Sequence, residues 1–456
     1  MRRARWALPL LAVGLSIQPW GGPARGQESR PNILIILTDD QRATGTVTPL
    51  AMPTTRRWLR DGGTRFPNAF ATTPLCCPSR ASIFTGQYAH NHGVRTNEDA
   101  GALNHRDTVQ RYLHDAGYLT ALVGKFLNFW PLHKRPPHFD RYTLVQPGYQ
   151  DVQANKDGQI VQVKQYSTDY VATRARNMIL DFEDQDATPW MVFVHPRAPH
   201  KPFEIKEKYQ DAPVGRWHLN PAVREQDLSD KPRYVRGLEP DPKKARSYRR
   251  GQLRMLMSVD DLVARIFSAL VDTGELQDTL VIFLSDNGFM WGEHSLFAKP
   301  HAYIQSAEIP LYVRWPGHVP AGGVDPRLAA NIDVAPTILE AAGVEAQHVL
   351  DGRPLLGAVP RDHLLLESFF HHPQKDITKW ASYLSSLIQY TEYYADDEIT
   401  RVFREYYELG PDPWQLKNSL GPGQQPPPPG SVAVVKAQLD QDRSCRGTSS
   451  GPGACP

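Results

Sequence analysis

The chain has 456 residues, of which 41% are hydrophobic, and its formal net charge at neutral pH is +2. This length suits one large domain with a smaller one beside it, and the apolar content is enough for a sizeable core. A charge so close to zero gives no reason to predict a nucleic-acid partner, and we expect none.

The first residues have the pattern of a signal peptide. Three arginines precede an apolar run over residues 6–17, which is too short to span a bilayer, and Ala24 and Gly26 offer small residues for cleavage. A disordered tail or a membrane anchor is the alternative. The pattern predicts a signal peptide over residues 1–26, secretion to an extracellular or periplasmic space, and no transmembrane segment elsewhere.

Four apolar runs are typical of strands in a parallel sheet that is buried on both faces. These runs are residues 33–37, 119–123, 191–194 and 280–284. Helical patterns lie between or after them, at residues 108–116, 254–270 and 334–342. Strands that alternate with helices predict an α/β fold, with a large, mostly parallel sheet flanked by helices.

The C-terminal part of the chain has a different pattern. Residues 380–409 are rich in tyrosine and alternate in polarity, which predicts a small antiparallel sheet. Residues 421–430 hold four consecutive prolines and are predicted to be a loop or linker. We therefore predict a large domain over residues 30–355 and a smaller domain over 356–456, which contains the sheet and the proline-rich tail. The polar, basic segment 212–250 is predicted to be a solvated insertion.

The four cysteines fall into two pairs. Cys445 and Cys455 close a short loop, and export would favour a disulfide between them. Cys76 and Cys77 are adjacent, and neighbouring cysteines rarely bridge each other. Because Pro78 suits the first turn of a helix, Cys76 is predicted just ahead of a helix N-terminus, where backbone N–H groups favour anions. A pair of buried structural thiols is the alternative, and composition does not decide between the two.

Acidic and amide side chains follow two of the predicted strands. Asp39 and Asp40 come after the first strand, and Asp286 and Asn287 come after the fourth. Ligands of open parallel sheets gather beyond the carboxyl ends of the strands. Three carboxylates at one edge repel each other unless a cation lies between them, and an oxygen-only set suits Ca²⁺ or Mg²⁺ better than Zn²⁺. The pattern therefore predicts a metal site, although a single Asp after a strand is more often a cap.

Basic side chains follow the other strand ends. Lys125 comes after the second strand, His195 and His200 come after the third, and Lys299 lies shortly beyond the fourth. A lone Lys or His is more often structural than catalytic. Their shared position at strand ends nevertheless predicts a cationic cleft, which would suit a phosphate or sulfate ester.

The run Cys76-Cys77-Pro78-Ser79-Arg80 resembles the sulfatase signature C-x-P-S-R, whose cysteine is converted to formylglycine. Further stretches are similar to the family in the same order along the chain: residues 32–40, 124–125, 198–202, 285–294 and 411–418. The resemblance covers about residues 31–418. It implies an alkaline-phosphatase-like fold and a hydrolase of sulfuric esters.

Residues 124–128 and 285–294 are most similar to the N-acetylglucosamine-6-sulfatase and extracellular endosulfatase branch of the family. Two positions depart from the pattern. Met290 stands where that branch usually has His, and Asn128 stands where several other sulfatases carry a His that assists elimination. The similarity to this branch implies a sulfated carbohydrate as the substrate. Because of the two departures, another sulfate ester is the alternative.

The resemblance also implies the residues of the site. The implied catalytic residues are Cys76, Arg80, Lys125, His200 and Lys299; the implied substrate-binding residues are Asn128 and His294; the implied ligands of Ca²⁺, or of Mg²⁺, are Asp39, Asp40, Asp286 and Asn287. Cys76 would become formylglycine (3-oxoalanine), made by a formylglycine-generating enzyme during maturation, and Arg80 would hold its hydrated form.

The implied reaction is chemically reasonable. The hydrated aldehyde, a gem-diol, would attack sulfur, and His200 would protonate the leaving alcohol. The second hydroxyl would then expel the covalent sulfate and restore the aldehyde. The alternatives are an arylsulfatase, a phosphonate or phosphate monoester hydrolase of the same superfamily, and a non-catalytic carbohydrate-binding relative. The last would need a missing nucleophile or metal ligand, and neither is missing here.

Overall fold

The computed structural model describes residues 30–184, 188–357, 359–372, 374, 376–448 and 453–456. The predicted signal peptide at 1–26 lies outside these residues. Pro31–Pro456 pack as one unit. The division of this unit between residues 355 and 356 stays a prediction.

The strands, in chain order, are β1 (Asn32–Thr38), β2 (Thr64–Arg65), β3 (Ala69–Phe70), β4 (Leu119–Gly124), β5 (Arg141–Val145), β6 (Val152–Lys156), β7 (Gln159–Val163), β8 (Trp190–His195), β9 (Thr279–Ser285), β10 (Met290–Trp291), β11 (Phe297–Ala298), β12 (Leu311–Arg314), β13 (Gly323–Val324), β14 (Ala329–Ala330), β15 (His363–Ser368), β16 (Lys379–Ser385), β17 (Ile388–Tyr394) and β18 (Arg401–Glu408).

The α-helices are α1 (Pro53–Thr55), α2 (Cys76–Thr85), α3 (Ala89–His92), α4 (Val109–Asp115), α5 (Ser167–Glu183), α6 (Pro242–Asp272), α7 (Ile304–Ala307), α8 (Val334–Ala342) and α9 (Ser431–Asp442). A π-helical turn, Arg56–Arg60, follows α1. Short 3₁₀ helices cover Asp99–Ala102, His105–Asp107, Glu207–Tyr209, Pro221–Arg224, Glu293–Ser295 and Asn331–Asp333.

A ten-stranded sheet occupies the centre, in the order β13-β2-β12-β9-β1-β8-β4-β5-β6-β7. The four predicted apolar runs are the neighbouring strands β9, β1, β8 and β4, which run parallel. Antiparallel pairs lie towards both margins of the sheet. The predicted large, mostly parallel sheet is confirmed.

Helices cover both faces of this sheet. Ile33, Ile35 and Leu37 of β1 pack with residues of α2, α4 and α8, whereas Leu34 and Ile36 pack with residues of α5 and α6. Alternate strand residues point to opposite faces, so a strand with a helix layer on each side must be apolar throughout. This explains why β1 is apolar throughout from Ile33 to Leu37.

The predicted helices are present, but one of them begins earlier than expected. The pattern at 254–270 is the second part of α6, which starts at Pro242 with the Asp241 side chain accepting a hydrogen bond from the Lys244 N–H at 2.9 Å. The segment 212–250 is therefore not an irregular insertion throughout. Its last residues form helical turns rich in Lys and Arg, which show no apolar stripe because they face solvent.

The predicted small antiparallel sheet is also present, with the order β15-β16-β17-β18. Its first strand, β15, lies upstream of the predicted range. Cys445 and Cys455 form the predicted disulfide after α9. Among the described residues, no helix combines the length and apolar character needed to cross a bilayer.

A buried ion pair joins α3 to the small sheet. His90 Nδ1 lies 3.0 Å from Glu367 Oε2, and its Nε2 lies 3.1 Å from the Cys445 carbonyl oxygen. Burial alone would lower the pKa of His90, but the charge and hydrogen bond of Glu367 outweigh it and raise the pKa to about 9. His90 therefore stays protonated at neutral pH.

We expect this pair to make stability depend on pH. Because the folded pKa is above the unfolded value of 6.5, the stabilisation is fully present below pH 6.5 and is lost as pH rises through about 9. Its size is on the order of 1–3 kcal/mol. His90→Gln should therefore lower the unfolding temperature clearly at pH 6 and little at pH 9.5. An equal loss at both pH values would show that the charge of His90 does not contribute.

Candidate active site

The predicted metal ligands meet at the carboxyl edge of the central sheet. Thr38 and Ser285 are register partners on β1 and β9, so the residues that follow them are neighbours. The Asp40 N–H donates to Asp286 Oδ1 at 3.1 Å, and Asn287 Nδ2 donates to Asp40 Oδ1 at 2.9 Å. Together with Asp39, these side chains are buried.

The N-terminus of α2 is fixed against this edge. Cys76 is the first helical residue, and its Sγ lies 3.4 Å from Asp39 Oδ1. Arg80, one turn later and fully buried, donates from Nε to Asp286 Oδ2 at 2.9 Å. The helix ends at Gly86, whose φ of 69° is left-handed and suits glycine. Cys76 is thus held beside the carboxylates.

Three further predicted residues converge on the same place. Lys125 Nζ lies 2.8 Å from Asp39 Oδ2. Lys299 Nζ contacts Asp40 Oδ1 and lies 2.9 Å from Cys76 Sγ. His200 Nε2 lies 3.7 Å from Asp40 Oδ2. The structure therefore brings together all five predicted catalytic residues and all four predicted metal ligands.

Burial and mutual charge shift the pKa values in this cluster. Burial raises the pKa of the Cys76 thiol well above its usual range, so the thiol stays protonated. Burial opposes ionisation of Asp39 too, but Lys125, His200 and two further cations outweigh it and hold its pKa well below the usual range. Burial, with Asp39 beside it, raises the pKa of Asp286 to about 6.

The chemistry of this donor set fits a hard divalent cation. Ligand atoms of Asp39 and Asp40 lie within 4.8 Å of each other, and Cys76 Sγ and a His200 ring nitrogen, which a hard cation does not prefer, lie within the same distance. Lys299 Nζ lies 3.1 Å from Asn287 Oδ1 and also contacts Asp40 Oδ1. These carboxylate and amide oxygens therefore surround a positive charge. Carboxylate and amide oxygens are the ligands that Ca²⁺ and Mg²⁺ prefer.

A cavity of about 430 Å³ opens beside Lys125 and His200. Its walls are largely apolar, and they include Phe126, Phe129 and Trp130 from the loop after β4. Asn128, from the same loop, also lines the cavity. Its Oδ1 is buried and has no hydrogen-bond partner in the described part of the chain. An apolar pocket with a few polar groups is the usual form of a small-ligand site.

His294, predicted to bind substrate, lies elsewhere. Its ring is fully buried and stacked on Tyr303, with the ring centroids 4.1 Å apart, and its Nδ1 lies 2.5 Å from Glu225 Oε2. These contacts tie it to the segment before α6 rather than to the groups around Cys76. Its role in substrate binding stays a prediction.

Two more residues, at and just after the end of β8, also join the site: His195, which is part of the predicted cationic cleft, and Arg197, for which the sequence predicts no role. His195 Nδ1 lies 2.9 Å from the Lys125 carbonyl oxygen, which also accepts a hydrogen bond from Arg80 Nη1 at 3.2 Å. Burial, with Arg80 beside it, holds the pKa of His195 well below its usual range. Arg197 Nη2 lies 3.2 Å from His200 Nδ1. Their position after an apolar strand was the available signal.

Comparison with known proteins gives consistent results. Residues 31–344 match the profile of the family described as Sulfatase, and residues 292–426 match the one described as N-sulphoglucosamine sulphohydrolase, C-terminal. The chain is 32% identical to human N-acetylglucosamine-6-sulfatase over 392 residues, which are 77% of this chain and 68% of that protein.

A second relative is much longer. The chain is 32% identical over 351 residues to the extracellular sulfatase SULF-1 homolog of Drosophila melanogaster, and the match covers 72% of this chain but only 31% of that protein. Among solved structures, one determined in complex with its substrate D-glucosamine-2-N,6-O-disulfate has a TM-score of 0.77 at 23% identity. The match covers 90% of this chain and 96% of that one, which supports the predicted fold.

Proposed function

Because the chain belongs to the sulfatase family, we propose that it hydrolyses sulfate monoesters and that its natural substrates are sulfated sugars. The observation that carries this proposal is the meeting of Cys76 with acidic, amide and basic side chains at one edge of the sheet. Such a set can hold a metal and an anionic ester side by side. Secretion to an extracellular or periplasmic space is part of the proposal.

Conversion of Cys76 to formylglycine by a maturation enzyme is the second part of the proposal. A thiol is nucleophilic only as the thiolate, and burial keeps the Cys76 thiol protonated. An unmodified Cys76 would therefore be a poor nucleophile. The hydrated aldehyde of formylglycine would supply a hydroxyl nucleophile at this position. Arg80, whose guanidinium is tied to Asp286, would fix its orientation.

Asp39, Asp40, Asp286 and Asn287 would hold Ca²⁺, or Mg²⁺ in its place. The bound metal would supply electrostatic stabilisation of the anionic reaction centre. Fixed cations of the chain would add to this electrostatic stabilisation. Because their side chains are already in position, they would not have to reorganise during the reaction. Lys125 and Lys299 are those cations, since both contact the carboxylates around Cys76.

His200 is the proposed proton donor to the leaving alcohol. It lies between Asp40 and Arg197, at the border of the cluster and the cavity of about 430 Å³. A general acid must reach the leaving oxygen, and this border is where an ester oxygen would lie if its sulfate occupied the cluster. The alcohol portion of the substrate would then fill the cavity.

The substrate test compares three esters under identical conditions. We expect a sulfate on a sugar primary hydroxyl, as in N-acetylglucosamine 6-sulfate, to be hydrolysed with a kcat/KM at least about tenfold higher than iduronate 2-sulfate or a phosphate monoester. Named relatives of this chain act at that position. Equal or better turnover of iduronate 2-sulfate would refute the substrate assignment, and preference for the phosphate monoester would refute the sulfatase assignment.

Asn128 is expected to position the substrate rather than to transfer a proton, because an amide does not titrate. Asn128→Ala should slow turnover on the order of 10–100-fold, the loss of one hydrogen bond to a charged or polar group. Lys125→Ala should cost more, because it removes charge stabilisation. Single-turnover kinetics would show whether the attack or the release step is slowed. Wild-type rates in Asn128→Ala would leave this side chain with a structural role only.

A further inference from the structure

A second, smaller cavity of about 90 Å³ lies between the loop after α3 and the small sheet. We call it the cationic cavity, and its charged lining consists of His90, Arg95, Glu367, Lys379, Glu398 and Arg443. It shares no lining residue with the cavity beside Lys125. It is therefore a separate concave site.

Positive charge is in excess in the cationic cavity. Arg95 and Lys379 share one carboxylate, Glu398, at 3.4 and 2.8 Å. The protonated His90 is matched by Glu367. Arg443 donates to the Glu398 carbonyl oxygen at 2.6 Å and lies over the Tyr394 ring, but it has no carboxylate within salt-bridge distance among the residues the structure describes. Four cations thus face two carboxylates.

A buried hydrogen-bond donor without a partner lies on a residue that lines this cavity. Trp380 is only 3% exposed, and its indole Nε1 has no partner within the described ranges. Leaving a buried N–H without a hydrogen bond is costly, because its bond to water is lost and not replaced. A ligand that accepts a hydrogen bond would remove this cost, and an anion is the acceptor that the surrounding charges favour.

The walls of the cationic cavity are tied to the chain around the nucleophile position. Asn97, two residues after Arg95, accepts a hydrogen bond from the Cys77 N–H at 3.0 Å. The Glu367 N–H donates to the Thr72 carbonyl oxygen at 2.8 Å. These two hydrogen bonds connect the walls of the cavity to the start of α2 and to the segment before it.

We propose that the cationic cavity binds a second anionic group, a sulfate or a carboxylate, and that this group belongs to a neighbouring sugar of a polyanionic substrate. The second clause rests on the proposed function, whereas the anion site itself does not. The volume of about 90 Å³ suits one such group rather than a whole sugar ring. The cavity would then select longer sulfated chains over single sugars.

The first arm of the test uses matured enzyme and two substrates, a 6-sulfated monosaccharide and a sulfated tetrasaccharide with the same cleavable end. Arg443→Gln should raise KM for the tetrasaccharide about tenfold, the value of one charge-assisted hydrogen bond. Its kcat/KM for the monosaccharide should stay within about twofold of wild type. Trp380→Phe, which removes only the N–H donor, should raise the tetrasaccharide KM about threefold.

Lys436→Gln is the matched control, because Lys436 lies on α9 near Arg443 and pairs with Asp440 outside the cavity. It should change neither KM. Unfolding temperatures of all variants would detect a general loss of structure. If Arg443→Gln does not fold, Trp380→Phe still tests the proposal, because it keeps the aromatic packing.

The second arm separates the sources of the anion by calorimetric titration with inorganic sulfate and with uncleaved tetrasaccharide. Loss of a sulfate-binding event in Arg443→Gln with an unchanged tetrasaccharide KM would assign the cavity to free sulfate. Unchanged binding of both ligands in Arg443→Gln and Trp380→Phe would overturn the proposal. If wild-type enzyme cleaves no sulfate ester, the proposed function fails while the titrations still decide on the anion site.

Discussion

Cys76→Ala is expected to lower kcat on the order of 10⁴-fold or more while the protein still folds. Removing a covalent nucleophile usually costs this much, since the remaining groups only bind and polarise the substrate. The loss should not come from unfolding, because the change removes only one sulfur atom at the start of α2. The ion pair between Arg80 and Asp286 still holds this helix in place. Steady-state kinetics with a sulfated sugar would measure the loss.

Cys77→Ala is the matched control. Cys77 is equally buried but packs in the core with the residues of α2 rather than with the carboxylates. It should keep kcat within about tenfold of wild type and lose some stability as a small cavity forms. Mass spectrometry across position 76 should find an aldehyde in protein from a host with the maturation enzyme. A fully alkylatable thiol at Cys76 in active enzyme would rule out the formylglycine proposal.

The centre of the fold could be predicted because its strands have an unusual composition. A strand covered by helices on both faces is apolar along most of its length, so β1, β4, β8 and β9 stand out as short, mainly apolar runs. The site followed from the same argument, because polar residues directly after such strands meet at one edge. Asp39 and Asp286 are 247 residues apart in sequence, yet the register of β1 and β9 makes them neighbours.

Elements outside this layer were harder to predict. The first turns of α6 are charged and exposed, so they show no periodic stripe and the sequence predicts an insertion there. The sequence does not predict β15, because its pairing with β16 depends on contacts across the connecting loop rather than on its own pattern. Such elements take their structure from tertiary contacts that are not encoded locally.

The individual contacts of the site residues could not be predicted. His195 belongs to the predicted cationic cleft, but nothing in the sequence around it marks its bond to the carbonyl oxygen of Lys125, 70 residues away. The family resemblance implies that His294 binds substrate, and this role stays a prediction. Its backbone adopts a left-handed φ of 52° after Gly292, and a carboxyl from Glu225 binds its ring. A sequence motif places such a residue in a loop but does not orient it.

Removing one acidic ligand is expected to abolish both metal binding and turnover. Asp39→Asn and Asp286→Asn should each lower kcat on the order of 10³-fold or more, because the metal and its electrostatic contribution would be lost together. Calcium should raise the unfolding temperature of wild type, by the linkage of binding to folding, but not that of either variant. Asp227→Asn, at an exposed carboxylate that bonds Ser229, is the control and should behave like wild type.

The two variants should differ in stability when calcium is absent. Asp39 is held ionised by Lys125 and the other cations, so its neutralisation leaves a buried ammonium without its partner. Asp286→Asn also removes the carboxylate partner of a buried cation, Arg80, but burial and the nearby Asp39 raise the pKa of Asp286 to about 6, so its neutralisation costs less, and an amide at this position can still accept the hydrogen bond from Arg80. Asp286→Asn should therefore unfold at a higher temperature than Asp39→Asn in calcium-free buffer. Variants that remain fully active after chelation and dialysis would show that these carboxylates do not hold a metal that the reaction needs.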